Sequence, residues 1–136
     1  MNLPINTIQS VSELALWVQD VDRAAAFYTE NLGFTVREMD PGRNAFLASG
    51  DFLLVLFHPE NPGTALADGY LERKGGPNGG GVYHVAFKVD PEQLDRYGET
   101  LKARGVDVSG PVNFGAGRRS YFFEDPDAHY IELTDR

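Results

Sequence analysis

The chain says the same thing twice. Glu13-Leu14-Ala15-Leu16-Trp17-Val18 leads into an acidic helix start, an amphipathic helix pattern and Leu32-Gly33-Phe34-Thr35-Val36. His84-Val85-Ala86-Phe87-Lys88-Val89 leads into a second helix pattern and Arg104-Gly105-Val106-Asp107-Val108. An internal repeat restricts the chain to folds that build one supersecondary unit twice. It also puts a metal-capable side chain at the same place in each copy, Glu13 in the first and His84 in the second.

The first copy reads as strand, helix and three strands. Leu14, Leu16 and Val18 alternate with Ala15 and Trp17, which suits a strand. Asp20 or Asp22 offers a helix N-cap, and Val21, Ala24, Ala25, Tyr28 and Leu32 make one helical stripe. Gly33 sits where a left-handed C-terminal cap is wanted. Strands are expected over 34–37, 45–48 and 52–57, with turns at Asp40-Pro41-Gly42 and Ser49-Gly50-Asp51. In the second copy strands are expected over 83–89, 106–108, 119–123 and 129–133. Its helix opens at Asp90-Pro91, with Asp90 as cap and Pro91 in the first helical position. Leu94, Tyr97 and Leu101 make the buried stripe, Gly105 closes it, and Asp125-Pro126-Asp127 turns between the last two strands.

The expected class is α+β: two βαβββ repeats forming a curved, incomplete barrel with outer helices. Neither copy alone covers both faces of its sheet. The chain reads as one domain, 1–136, with repeat one at 8–58, a linker at 59–81 and repeat two at 82–136. The linker ends in Gly75-Gly76-Pro77-Asn78-Gly79-Gly80-Gly81. A phosphate-cradling loop needs a Lys-Ser/Thr pair leading into a helix, and here a strand follows.

The formal net charge is -8. That argues against a nucleic-acid or anionic-membrane surface, either of which needs a basic patch. There are no cysteines, which removes disulfides, thiolate metal sites and a Cys nucleophile. No apolar run reaches membrane-span length, and the N-terminus lacks the basic and apolar regions of a signal peptide. A cytoplasmic protein is the expectation.

The segments Trp17 to Tyr28, Asn31-Leu32-Gly33-Phe34, Tyr83-His84-Val85-Ala86-Phe87 and Asp125 to Leu133 resemble the vicinal oxygen chelate superfamily. That group includes glyoxalase I, methylmalonyl-CoA epimerase, extradiol dioxygenases, fosfomycin resistance enzymes and bleomycin resistance proteins. The second half, through Gly117-Arg118-Arg119-Ser120-Tyr121-Phe122-Phe123, is most similar to the fosfomycin resistance enzymes. The resemblance implies metal ligands from the first and last strands of each copy, which here are Glu13, Val55, His84 and Glu132. Valine cannot ligate, so three candidates remain: Glu13, His84 and Glu132. One imidazole and two carboxylates suit Mn²⁺, Fe²⁺, Zn²⁺, Ni²⁺ or Mg²⁺ without choosing among them. The iron-oxygenase triad uses two His, which disfavours a dioxygenase.

A second reading of the same residues stays open. Glu13 could face water, and His84 could be a hydrogen-bonded strand histidine. If Ile131 and Leu133 face the helix, Glu132 faces away from it. His58 and His129 read as surface residues, since His129 is three positions from Glu132 and falls on the opposite face.

For the substrate, the resemblance points to Arg118, Arg119 and Ser120, where a guanidinium can grip phosphonate or carboxylate through two parallel hydrogen bonds. Tyr121, Tyr83 and Trp17 are the aromatic candidates. The implied function is a divalent-metal-dependent enzyme of isomerase, lyase or epoxide-opening type, with Glu13 and Glu132 as catalytic carboxylates. The alternative is a metal-free drug-binding protein of the bleomycin-resistance kind. A small-molecule partner and a homodimer are expected under both.

Overall fold

In the computed structural model residues 10–60 and 84–135 are described. The chain divides into two compact units, Met1–Ala67 and Asp68–Arg136.

The first unit runs β1 (Glu13–Trp17), α1 (Val21–Leu32), β2 (Thr35–Asp40), β3 (Asn44–Ser49) and β4 (Phe52–Phe57). Its sheet order is β1-β4-β3-β2, with β1 parallel to β4 and the other pairs antiparallel. The helix starts because the Asp20 carboxylate accepts the Arg23 N–H at 3.0 Å, satisfying one of the orphan donors of the first turn. It stops at Gly33, whose φ of 72° is the left-handed conformation that glycine adopts without a Cβ penalty. Val21, Ala24, Ala25 and Tyr28 are its buried stripe. Edge-to-face rings continue from Tyr28 to Phe34 and from Phe34 to Phe52, tying the helix end to the start of β4. β4 is hydrogen-bonded on both edges, to β1 and β3, and its Leu54, Val55 and Leu56 are all fully buried.

The second unit repeats the plan: β5 (Val85–Lys88), α2 (Leu94–Ala103), β6 (Ser109–Gly115), β7 (Arg118–Glu124) and β8 (Tyr130–Thr134), in sheet order β5-β8-β7-β6. Again the first and last strands are parallel. Each unit is thus a βαβββ repeat around a four-stranded mixed sheet, an α+β fold in which neither sheet closes into a barrel. The ladders also reproduce the internal alignment. Ala15 stands opposite Val55, and Ala86 stands opposite Glu132. Ala15 and Ala86 each lie two residues beyond Glu13 and His84, so Val55 and Glu132 are equivalent positions.

Two expectations change. Val106–Val108 is not a strand, because the Gly105 and Val106 N–H groups donate back to Lys102 and Leu101 and finish α2. The pairing strand is Ser109–Gly115, on the sheet edge, where Pro111 and two register shifts are tolerated. The helix start also moves. The Asp90 carboxylate accepts the Glu92 N–H, but it caps a single turn over 91–93, and α2 begins at Leu94. Among the described residues no helix is long and apolar enough to cross a membrane.

Leu94, Gly98 and Leu101 are the buried face of α2. Gly98 matters for its lack of a side chain: a Cβ there would meet the Tyr121 ring at 2.5 Å. Glycine at this point lets the helix lie directly on that ring.

Candidate functional site

Successive residues of a strand point to opposite faces. On β7 this separates two groups that are adjacent in sequence. Arg119 and Tyr121 face α2. Both guanidinium nitrogens of Arg119 donate to Asp95, at 2.7 and 2.6 Å, and the Tyr121 hydroxyl donates to the same carboxylate at 2.8 Å. The Arg119 bonds, with help from Tyr121, hold the Asp95 carboxyl below its ordinary range. Asp95 in turn raises Arg119. Burial, reinforced by the hydrogen bond to Asp95, pushes the Tyr121 phenol up to about 12. This clasp joins helix to sheet and engages the polar atoms of two residues expected to meet substrate.

Arg118 and Ser120 face the other way, toward Glu132. Ile131 and Leu133 are buried on either side of Glu132 in sequence, and Glu132 itself is 3% exposed. A buried carboxylate is costly unless its oxygens are hydrogen-bonded or ion-paired. The Ser120 hydroxyl, fully buried, donates to Glu132 Oε2 at 2.7 Å. The His84 Nε2 lies 3.2 Å from Oε1, and an Arg118 guanidinium nitrogen lies 3.8 Å from Oε2. His84 precedes β5, β8 carries Glu132 and β7 carries the other two, so three neighbouring segments of one unit build the cluster.

The remaining expected residues belong to other elements. Glu13 begins β1 and Trp17 ends it, both exposed and both in the first unit. Val55 is buried in β4. Tyr83 lies outside the described residues. The His58 Nδ1 accepts the Glu60 N–H, and the His129 backbone N–H donates to Asp125 in the turn before β8. Among the described residues no group of three or more His, Cys, Asp or Glu gathers at one point. As a donor set, His84 Nε2 and the Glu132 carboxylate fit a borderline-hard divalent ion, an imidazole beside an oxygen ligand.

Sequence reasoning missed Asp95 and Gly98. Gly98 left a signal, since glycine inside a helical pattern is unfavourable and needs a packing reason. Asp95 left none, because its partners are 24 and 26 residues away.

Residues 10–133 match the Glyoxalase/Bleomycin resistance protein/Dioxygenase superfamily. The glutathione transferase FosA of Serratia marcescens is 30% identical over 126 residues, covering 93% of this chain and 80% of that protein. Lactoylglutathione lyase from Agrobacterium tumefaciens superposes with a TM-score of 0.74 at 24% identity, covering 95% of each chain. The fosfomycin resistance protein FosX of Listeria monocytogenes was solved as a variant with Mn(II) and 1S,2S-dihydroxypropylphosphonic acid. It superposes with a TM-score of 0.70 at 22% identity, covering 95% of this chain and 91% of that one. With the match running across both repeats, this chain belongs to the glyoxalase/bleomycin resistance protein/dioxygenase superfamily.

Proposed function

We propose that this chain is a divalent-metal-dependent enzyme acting on a small oxygenated substrate, by isomerase, lyase or epoxide-opening chemistry. The observation that carries the reading is Glu132, a buried carboxylate held beside the His84 imidazole on the last strand of the second repeat, where the family resemblance puts a ligand. Its relatives support it: FosA is a glutathione transferase, and the Listeria FosX was solved with Mn(II). His84 and Glu132 would hold the ion, and Glu13 enters as the repeat equivalent of His84. When bound, a divalent ion polarises a substrate oxygen and stabilises negative charge developing on it.

The rest falls to side chains. Ser120 fixes the orientation of the Glu132 carboxylate through its hydroxyl. Arg118, half-exposed beside that carboxylate, can give parallel N–H groups to an anionic substituent. Glu13 and Glu132 are the carboxylates able to accept a proton. A chain without cysteine supplies no thiol, so a thiol-transfer reaction would take its thiol from a second substrate. A homodimer belongs to the same reading.

A second reading rests on Arg118. With Ser120, His84 and Arg118 around it, Glu132 has partners without an ion, as a metal-free binding protein would need.

Metal content by plasma mass spectrometry on untagged protein separates the two. The enzyme reading expects about one equivalent of a divalent metal, lost in His84→Ala and Glu132→Ala. No metal after incubation with Mn²⁺, Fe²⁺, Ni²⁺ and Zn²⁺ would leave the binding-protein reading.

A further inference from the structure

Three aromatic rings cross the second sheet in a line. Phe114 on β6 meets Phe122 on β7 at 6.1 Å between centroids, and Phe122 meets Tyr130 on β8 at 5.8 Å. Phe122 shares a face with Arg118 and Ser120 and stands directly opposite Glu132 in the ladder. The Arg118 guanidinium lies 5.6 Å from the Phe114 ring centre. Phe114 is 55% exposed and Tyr130 37%, a large apolar surface left open beside a buried carboxylate. Contiguous open apolar surface of this kind marks a ligand surface more often than scattered exposure does.

Phe122 and Tyr130 also line a cavity of about 400 Å³, together with Asp107, Ser109, Phe123, Glu124 and Asp125; Glu132 borders it through its ladder partner Phe122 rather than lining it. That volume suits a small-molecule site. The ligand seen in the Listeria FosX carries only a three-carbon chain. A flat ring gains offset or edge-to-face contact with such a wall, and an alkyl chain does not. The three carboxylates disfavour a further anion at the far end of the occupant.

We propose that this cavity binds an aromatic ring as the body of the substrate, with the ring against Phe122 and Tyr130 and its oxygen substituents next to Glu132. The placement of the oxygens rests on the enzyme reading above; the preference for a ring does not.

Phenylphosphonate and propylphosphonate share a headgroup and differ in body. Their affinities for the full chain are measured by calorimetry, first with EDTA and then with Mn²⁺. The expected result is roughly tenfold tighter binding of phenylphosphonate in both conditions. Phe122→Leu and Tyr130→Leu keep apolar bulk and remove the ring, and together they should erase the difference while the far-ultraviolet circular dichroism stays unchanged. Equal affinities, no binding of either probe, or a ring preference that survives both substitutions would overturn the proposal. Failure of the metal reading looks different: Mn²⁺ changes neither affinity, and the ring preference remains.

Discussion

Ser120 and Tyr121 are neighbours in sequence with opposite duties, because a strand turns each to its own face. The hydroxyl of Ser120 is a hydrogen-bond donor to a carboxylate that is almost wholly buried. Removing it in Ser120→Ala leaves one Glu132 oxygen short of a donor, at a cost of about 1–3 kcal/mol. Denaturant unfolding checks this, and an unchanged midpoint would show that Arg118 or water replaces the hydroxyl. Tyr121 makes a prediction about pH. Its folded pKa of about 12 lies above the ordinary tyrosine value of 10.0, so the folded state holds that proton more tightly. The associated stability is complete below the ordinary tyrosine pKa and is lost as pH rises through about 12. Burial also raises Tyr97, and in an alkaline titration followed by tyrosinate absorbance the step belonging to Tyr121 should fall near 12. That step should vanish in Tyr121→Phe and move to lower pH in Asp95→Asn. A wild-type titration with no such step would contradict the clasp.

At the scale of elements, α2 tests packing against propensity. Alanine is favoured over glycine in a helix interior by about 1 kcal/mol, so Gly98→Ala should stabilise an isolated helix. Here the added methyl would lie 2.5 Å from the Tyr121 ring, which Asp95 holds in place. Overpacking of this kind costs about 1–3 kcal/mol and wins, so Gly98→Ala should lower the thermal midpoint. A raised midpoint would mean that the helix can lift off the sheet at little cost. The same elements show what was legible in the chain. The strand-helix-strand order, the Asp20 and Gly33 caps and the turns at Asp40 and Asp125 could be read because each depends on residues within a few positions. The strand at Ser109–Gly115 could not, since its glycines and proline argue locally for a loop and only pairing with β7 makes it a strand. Glu132 and His84 were legible as a pair because the family resemblance puts ligands on the first and last strands of each copy, and the repeat then matched them with Val55 and Glu13. The parting of Arg118 from Arg119 needed Arg118 to belong to the strand, which begins one residue before the expected 119, and the β7–β8 register to say which of them meets Glu132.

At the scale of the whole molecule, the two repeats differ at the positions a metal site would use. Position 55 carries Val and position 132 carries Glu; position 13 carries Glu and position 84 carries His. The second copy holds two donors side by side, and the first offers one. His84 and Glu132 stand side by side in the second repeat, and an ion held there should stabilise the folded chain. An ion that binds only the folded state raises stability by RT ln(1 + [L]/Kd), about 2.7 kcal/mol at a hundred times Kd. Thermal unfolding of the wild-type protein should therefore shift upward with Mn²⁺ and return with EDTA. His84→Ala should lose the shift, and Glu13→Ala tests whether Glu13 is a third ligand. A shift that survives Glu13→Ala but not His84→Ala would confine the ion to the second repeat, with its remaining ligands drawn from substrate or water. No shift in the wild-type protein would leave Arg118, Ser120 and His84 as the lasting partners of Glu132.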